Sequence, residues 1–446
     1  MFVPGAAEDA ALGQVPLFAT DDGTRDHNPL GTQVHLVIMP ADPVTKLKIL
    51  WASPNALLDT TNGAALAVRE ILRQLANRGC EVRILGGTNF VNPNGMTYFR
   101  EIIPQLQKQQ GKFLTCNDGP LQHRLLVTHS TRRRLMHSFE EQLWFDEYCR
   151  ILDEFQPDLV MFFDNSLITL LTCDEARRRG IPAVVYLAHA RNTGQRWCRD
   201  VSLMLTDSQA TARMYKQREG YDIATVGAFI DPAAYRAGEQ TRENVLFVTP
   251  TLEKGATFVI QLALLMEQER PDIRFEVVET RSNWTELLRT VTRRLGRERD
   301  SLANVTLTPN ARDMRPVYAR ARALLVPSAW WESGPRVIIE SLLNGIPILG
   351  SNSGGVPEMI GEGGTILEFP QANLTPPYDA LFPAPLLDRA REWIERLYDD
   401  EAFHDAAVER AFRAHGELHD IERNTDRVLQ ALTDCVASTR ERVGRT

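Results

Sequence analysis

The chain has 446 residues, enough for two or three domains, and its 43% hydrophobic and 24% charged content is ordinary for a folded, water-soluble protein. A net charge of −8 argues against general nucleic-acid binding, which needs a basic footprint. Six cysteines are scattered without a Cys-x-x-Cys pair, so reduced thiols in a cytoplasmic protein are expected and no metal cluster is visible. No apolar run approaches the length of a membrane span, and the first residues lack a basic stretch followed by an apolar one, so no signal peptide is expected. Residues 1–30, rich in Ala, Gly, Asp and Pro, read as a flexible tail, with 33–39 able to add a strand.

From Lys46 the pattern is strand then helix, repeated. Leu47–Ala52 is an apolar strand; Asn62–Arg78 has helical spacing and stops at Gly79. Strands follow at Glu81–Leu85, Leu159–Phe163, Pro182–Leu187 and Val201–Thr206, with helices at Phe139–Phe155, Leu167–Arg179 and Gln209–Arg218. A polar stretch after Gly227 reads as a linker. A second series begins at Val245–Val248 and continues with helix Ala256–Gln268, strand Ile273–Val278, helix Trp284–Leu295 and strand Val305–Thr308. Helix Met314–Arg322, strand Ala323–Val326, helix Val337–Asn344 and strand Pro347–Leu349 complete it, and the last 60 or so residues are helical and charged. Continuous apolar strands alternating with helices predict parallel sheets covered on both faces. The expected organisation is a first domain over 31–230, a linker over 231–243, a second domain over 244–425, and a terminal helix over 426–446 that crosses back to the first domain.

The segment Glu332-Ser-Gly-Pro-Arg-Val-Ile-Ile-Glu340 spans the junction between the strand ending near Pro327 and the next helix. In open α/β sheets that junction is where ligands bind. Glu332 and Glu340 can each accept hydrogen bonds from a pair of sugar hydroxyls, while the helix N-terminus between them offers N–H groups to an anion. Lys254, between a strand and Gly255, is a compact charge suited to a diphosphate, although a lone Lys-Gly is commonly a solvated loop.

Four motifs in order carry a resemblance: Leu252-Glu-Lys254-Gly255; Met314-Arg-Pro-Val-Tyr318 with Val326-Pro-Ser328; Glu332 to Glu340; and Gly345-Ile-Pro347 with Ser353-Gly-Gly-Val-Pro-Glu358. Together the chain resembles a retaining glycosyltransferase of family 4. The resemblance covers nearly everything from Lys46 onward and is strongest in the second domain. Ala188-His189-Ala190, Thr206-Asp-Ser208 and Asn62-Gly63 match the first domain more loosely.

The resemblance implies the GT-B fold: α/β, two Rossmann-like doubly wound domains with an interdomain cleft. It implies transfer of sugar from a nucleotide-sugar to a glycan, lipid or small-molecule acceptor, with no metal and no cofactor beyond that co-substrate. No nucleic-acid partner is expected; peripheral contact with the inner face of the membrane stays open. By the resemblance His189, Lys254 and Glu332 are catalytic, Glu332 touching the transferred sugar. Donor contacts fall to Gly63, Lys254, Asn310, Glu332, Ser333, Gly334, Pro335, Arg336, Glu340, Gly354 and Gly355, with Glu340 on the ribose diol and the glycines offering backbone N–H groups. One departure stands out: the family's partner arginine, six residues before the lysine, is Val248 here. Arg336 or Arg281 are the substitutes considered. Competing readings are a GT-B epimerase or phosphorylase, and a nucleotide-sugar-binding protein that has lost catalysis. The basic triplets Arg132–Arg134 and Arg177–Arg179, and Trp330-Trp331, read more simply as solvated helix faces and a packed loop.

Overall fold

The computed structural model describes residues 46–443 apart from positions 281 and 312. The expected tail and the 33–39 strand lie outside the described residues, as does Arg281. The first series builds strands β1 (Lys48–Ala52), β2 (Glu81–Gly87), β3 (Phe113–Asp118), β4 (Leu121–Leu126), β5 (Leu159–Phe162), β6 (Ala183–Tyr186), β7 (Val201–Thr206) and β8 (Ala224–Thr225). They form one sheet in the order β3-β4-β2-β1-β5-β6-β7-β8. The second series builds β9 (Asn244–Val248), β10 (Arg274–Glu279), β11 (Val305–Pro309), β12 (Ala321–Val326), β13 (Ile348–Ser351) and β14 (Gly364–Leu367), in the order β11-β10-β9-β12-β13-β14. That second order is the one that dinucleotide-binding sheets adopt, and it reverses direction between β9 and β12.

The central strands are apolar throughout because helices cover both faces: all four residues of β5 and of β6 are buried. Helix Gly63–Asn77 buries Ala65, Val68, Ile71, Leu72 and Leu75 on one stripe, and its start is fixed by Asn62, whose side chain accepts from the N–H of Ala64 and Ala65. The sheets are parallel with one exception. β3 and β4 pair antiparallel at the edge of the first sheet, in a stretch for which the sequence predicted no element. β3 alternates half-buried and exposed residues and so lacks the continuous apolar signature of its neighbours. β14, four residues long, also went unseen.

After the second sheet come helices Ala384–Asp399, Glu401–Leu418 and Ile421–Val443. The last of these sets Val428, Leu432 and Val436 into the core of the first domain, beside Leu72 and Leu205. Arg78 holds its start through Glu422 at 2.6 Å and Asp426 at 2.7 Å. No described helix is long and apolar enough to cross a membrane.

Candidate active site

The carboxyl ends of β9 and β12, at the reversal point of the second sheet, face the first domain across a cavity of about 520 Å³. That volume is in the range of small-molecule sites. Two loops are locked together at its floor. Gly255 has φ +85°, and a Cβ there would lie 1.9 Å from the Pro327 carbonyl oxygen, so glycine is required twice over. The carbonyl of Glu253 accepts from the N–H of Ala329 at 2.8 Å and of Trp330 at 3.1 Å. This close approach brings Lys254 to Glu332.

The Lys254 ammonium donates to Glu332 Oε1, which also accepts from Ser328 Oγ at 2.8 Å and Trp330 Nε1 at 2.7 Å. Glu332 is only 5% exposed. Its three donors converge on one oxygen; among the described residues none reaches Oε2. Glu340 lines the same cavity and is equally buried. Tyr318 OH donates to its Oε2, and Arg336 lies 3.3 Å from its Oε1. A buried carboxylate needs such partners, and each retains acceptor capacity for a hydroxyl.

His189 lines the first-domain wall. Its pKa is lowered, first by burial and then by the charge of Arg191, so the ring is neutral. Its Nδ1 accepts from the Arg191 N–H at 3.3 Å, which puts the remaining ring proton on Nε2. Gly63 and Asn310 also line the cavity; Asn310 Nδ2 donates to the Asn94 carbonyl across the cleft at 3.5 Å. Thr249, just past β9, has φ +64°, a strained value for a β-branched residue, stabilised by a bond from Thr280 Oγ1 at 2.9 Å. Val248 lines the cavity beside it.

Several expected donor contacts take different positions. Ser333 Oγ donates to Asp207 and lies 3.1 Å from Thr206 Oγ1, so it fastens the two domains together. Gly355 gives its N–H to the Glu332 carbonyl at 2.7 Å, and neither Gly354 nor Gly355 lines the cavity. A Cβ on Gly354 would sit 2.2 Å from the Glu332 carbonyl oxygen, and one on Gly355 2.0 Å from that of Ser333. These glycines support the Glu332 loop from behind. Gly334 and Pro335 do face the cavity, and a Cβ at Gly334 would strike the Asp207 carboxylate at 2.4 Å. Arg336 reaches the cavity but is committed to the Phe229 carbonyl and Tyr235 OH, both at 3.0 Å, besides Glu340. Glu358 caps the helix Gln209–Glu219, accepting from Gln209 and Ala210 N–H at 2.8 Å. The triplet Arg177–Arg179 is spent on Asp200, Glu175 and Asp153.

Four participants escaped the sequence reading. Tyr318 sat inside a quoted motif without a role, and Trp330 was read with Trp331 as part of a packed loop. Asp207 followed a strand as a mere motif match. Asp164, at the end of β5, bridges Ser53 Oγ and Asn55 Nδ2, both at 3.1 Å, at the reversal point of the first sheet. An acidic residue directly after an apolar strand was the available signal.

Residues 242–379 match the family described as glycosyl transferases group 1. No curated relative matches the sequence. Among solved structures, sucrose-phosphate synthase from Thermosynechococcus elongatus aligns with TM-score 0.64 at 13% identity, over 88% of this chain and all of that one. A glycosyltransferase from Rickettsia africae gives 0.60 at 13%, over 88% and 99%. Anabaena HepE, solved in complex with UDP and glucose, gives 0.60 at 16%, over 87% and 100%. At these identities the likeness establishes the two-domain GT-B fold. The chain therefore joins a match to the glycosyl transferases group 1 family over residues 242–379 with the two-domain GT-B fold.

Proposed function

We propose that the protein is a retaining, metal-independent enzyme of family 4 that moves a glycosyl group from a nucleotide-diphosphate sugar to an acceptor hydroxyl. The observation that carries this is the Lys254–Glu332 pair, set opposite Glu340 in one cavity at the reversal point of the second sheet. HepE, which shares the fold, binds UDP and glucose, and this cavity offers the matching groups. Glu340, held by Tyr318, accepts from the ribose diol. Glu332 Oε2 accepts from a hydroxyl of the transferred sugar. His189, neutral, donates from Nε2 to a sugar oxygen.

In the reaction the bond from the anomeric carbon to the β-phosphate oxygen breaks while the acceptor oxygen bonds to that carbon. The acceptor's proton passes to the departing phosphate. Charge grows on the phosphate as the sugar becomes oxocarbenium-like. Lys254 meets that charge inside a cleft from which water is displaced, where a fixed cation is worth far more than in solution. Metal independence is supported by how the cavity's carboxylates are used: Glu332, Glu340, Asp164 and Asp207 each serve protein donors and do not converge on a vacant centre. The acceptor, whether glycan, lipid or small molecule, enters from the first-domain side, and a cytoplasmic location suits a nucleotide-sugar donor.

The test is a thermal-shift screen against nucleotide-sugars, then release of nucleoside diphosphate with and without chelator, then the anomeric configuration of the product by NMR. Glu340→Ala should weaken donor binding, and Lys254→Ala should lower kcat by about a hundredfold, the usual cost of losing one charge-stabilising group. Wild-type behaviour in both variants would dismiss this site. Free nucleotide-sugar returned without acceptor would indicate an epimerase; binding without release would indicate a silent binding protein, which the absence of arginine at Val248 favours.

A further inference from the structure

Replacing the usual arginine by Val248 removes one positive charge from the place where a diphosphate would sit. Among the described residues, four basic side chains besides His189 line the cavity: Arg69, Arg191, Lys254 and Arg336. Arg69 is spent on both oxygens of Asp118 at 2.5 Å. Lys254 is paired with Glu332 and Arg336 with Glu340. Among the described residues, Arg191 alone of the four has no carboxylate within ion-pairing distance.

Arg191 is exposed in the loop that carries His189, two residues on, and its guanidinium lies 5.1 Å from the centroid of the Trp330 indole. The Lys254 ammonium lies 5.6 Å from the same centroid. Trp330 is itself fixed by its bond to Glu332. One indole from the second domain therefore gathers two cations, one from each domain, against a single carboxylate. An aromatic face steadies a cation without neutralising it. The local excess of positive charge calls for an anion, and a guanidinium held over an indole, with no carboxylate to engage it, has its N–H fork available to phosphate oxygens.

We propose that Arg191 is the second phosphate-binding cation of this enzyme, supplied from the first domain in place of the arginine absent at Val248, and that the donor's diphosphate bridges it to Lys254. This rests on the reading of the cavity as a nucleotide-sugar site. It also makes donor binding bivalent: the diphosphate contacts both domains, so its arrival holds the cleft shut over the reacting carbon.

Calorimetry on the full chain tests it, with UDP, ADP and GDP and their parent nucleosides as probes, on the wild type, Arg191→Gln, Arg191→Lys and Lys254→Ala. Because Arg191 is exposed, its variants should keep the wild-type melting temperature. Expected is a loss of about ten- to hundredfold in affinity for the nucleoside diphosphate that binds tightest, with the nucleoside unaffected and partial recovery in Arg191→Lys. The loss should also shrink as salt is raised. A diphosphate affinity in Arg191→Gln within twofold of wild type, alongside a loss in Lys254→Ala, would overturn the proposal and leave the donor site standing. Unchanged diphosphate affinity with a raised KM for acceptor would also overturn it, assigning Arg191 to an anionic acceptor group. If wild type binds none of the three diphosphates, the underlying reading falls and this proposal with it.

Discussion

Glu332 Oε1 takes three hydrogen bonds, from an ammonium, an indole and a hydroxyl, and this crowding explains why the position demands a carboxylate. A glutamine keeps an acceptor for the neutral donors but loses the charge that offsets Lys254. Lys254 is about a quarter exposed, so water screens part of the loss, and Glu332→Gln should cost about 1–3 kcal/mol, below the range for a fully buried broken pair. Turnover should fall far more than stability, since the amide would also place an N–H where the proposed donor contact needs an acceptor for a sugar hydroxyl. Denaturant unfolding and steady-state kinetics on the same preparation would show it; equal, small losses in both would mean that Glu332 only props up the loop. Glu340 is anchored differently, by a tyrosine from the helix Arg315–Arg320 and an arginine one turn before it on its own helix. That tyrosine, Tyr318, is buried and its hydroxyl pKa is raised well above its usual value by burial and then by the Glu340 charge, so it remains a donor at any physiological pH.

At the scale of elements, the site is made by short loops pressed together at strand ends, and glycines set the spacing. Gly355 has an ordinary φ of −83°, so alanine there meets no backbone penalty; the obstacle is the Ser333 carbonyl 2.0 Å from the new Cβ. Backbone cannot yield as a side-chain tip can. Gly355→Ala should destabilise by about 1–3 kcal/mol, as overpacking does, and lower turnover by displacing Glu332. Gly416→Ala is the control: it lies exposed in helix Glu401–Leu418 with open space around it, and should be neutral or stabilise by up to about 1 kcal/mol. Thermal melts of the pair would separate spacing from propensity, and equal effects would refute the packing account. The same contrast explains what was legible in the sequence. Strands such as β1 and β5 announce themselves because both faces are buried and, after Lys48 at the start of β1, every residue is apolar, and the helix ending near Gly345 shows its stripe and its stop. The Glu332–Glu340 segment was readable because its chemistry is local, eight positions along one loop and helix start. The edge strand β3 was not, since none of its residues is fully buried, and neither was the Tyr318–Glu340 bond, because nothing within 22 residues of chain says which buried carboxylate a tyrosine will meet.

At the scale of the whole molecule, the two domains are joined by chain at two places and by polar contacts over the floor of the cleft. The chain leaves the first domain near Gly227 and returns near Asn424; the two crossings touch, with Asn424 Nδ2 donating to the Ala228 carbonyl at 2.8 Å. Trp331 Nε1 donates to Thr211 Oγ1 at 3.2 Å, and Asp207 accepts from Ser333. Asp207 is the weak point of this seam. It is 6% exposed, and among the described residues its partners are hydroxyls without a cation: Ser333, Thr206 and Tyr186. Burial pushes its pKa up to about 6, against 3.8 for an ordinary aspartate, and the hydroxyls, led by Ser333, together with a backbone hydrogen bond offset only part of the effect. The sign follows from proton counting. Between pH 4 and 6 the folded chain holds a proton on Asp207 that the unfolded chain has released, so this residue's contribution to stability falls as pH rises through that window and is flat above it. Two units correspond to about 3 kcal/mol. Asp207→Asn keeps an acceptor for Ser333 and has no charge to bury. The variant should therefore gain stability relative to wild type as pH is raised from 4 to 6, by up to about 3 kcal/mol, and hold that margin at pH 7. Urea unfolding of both proteins across the range measures the difference directly. Parallel pH profiles would mean that Asp207 is solvated or otherwise neutralised, and that the domains meet at this seam less tightly than Ser333 and Asp207 require.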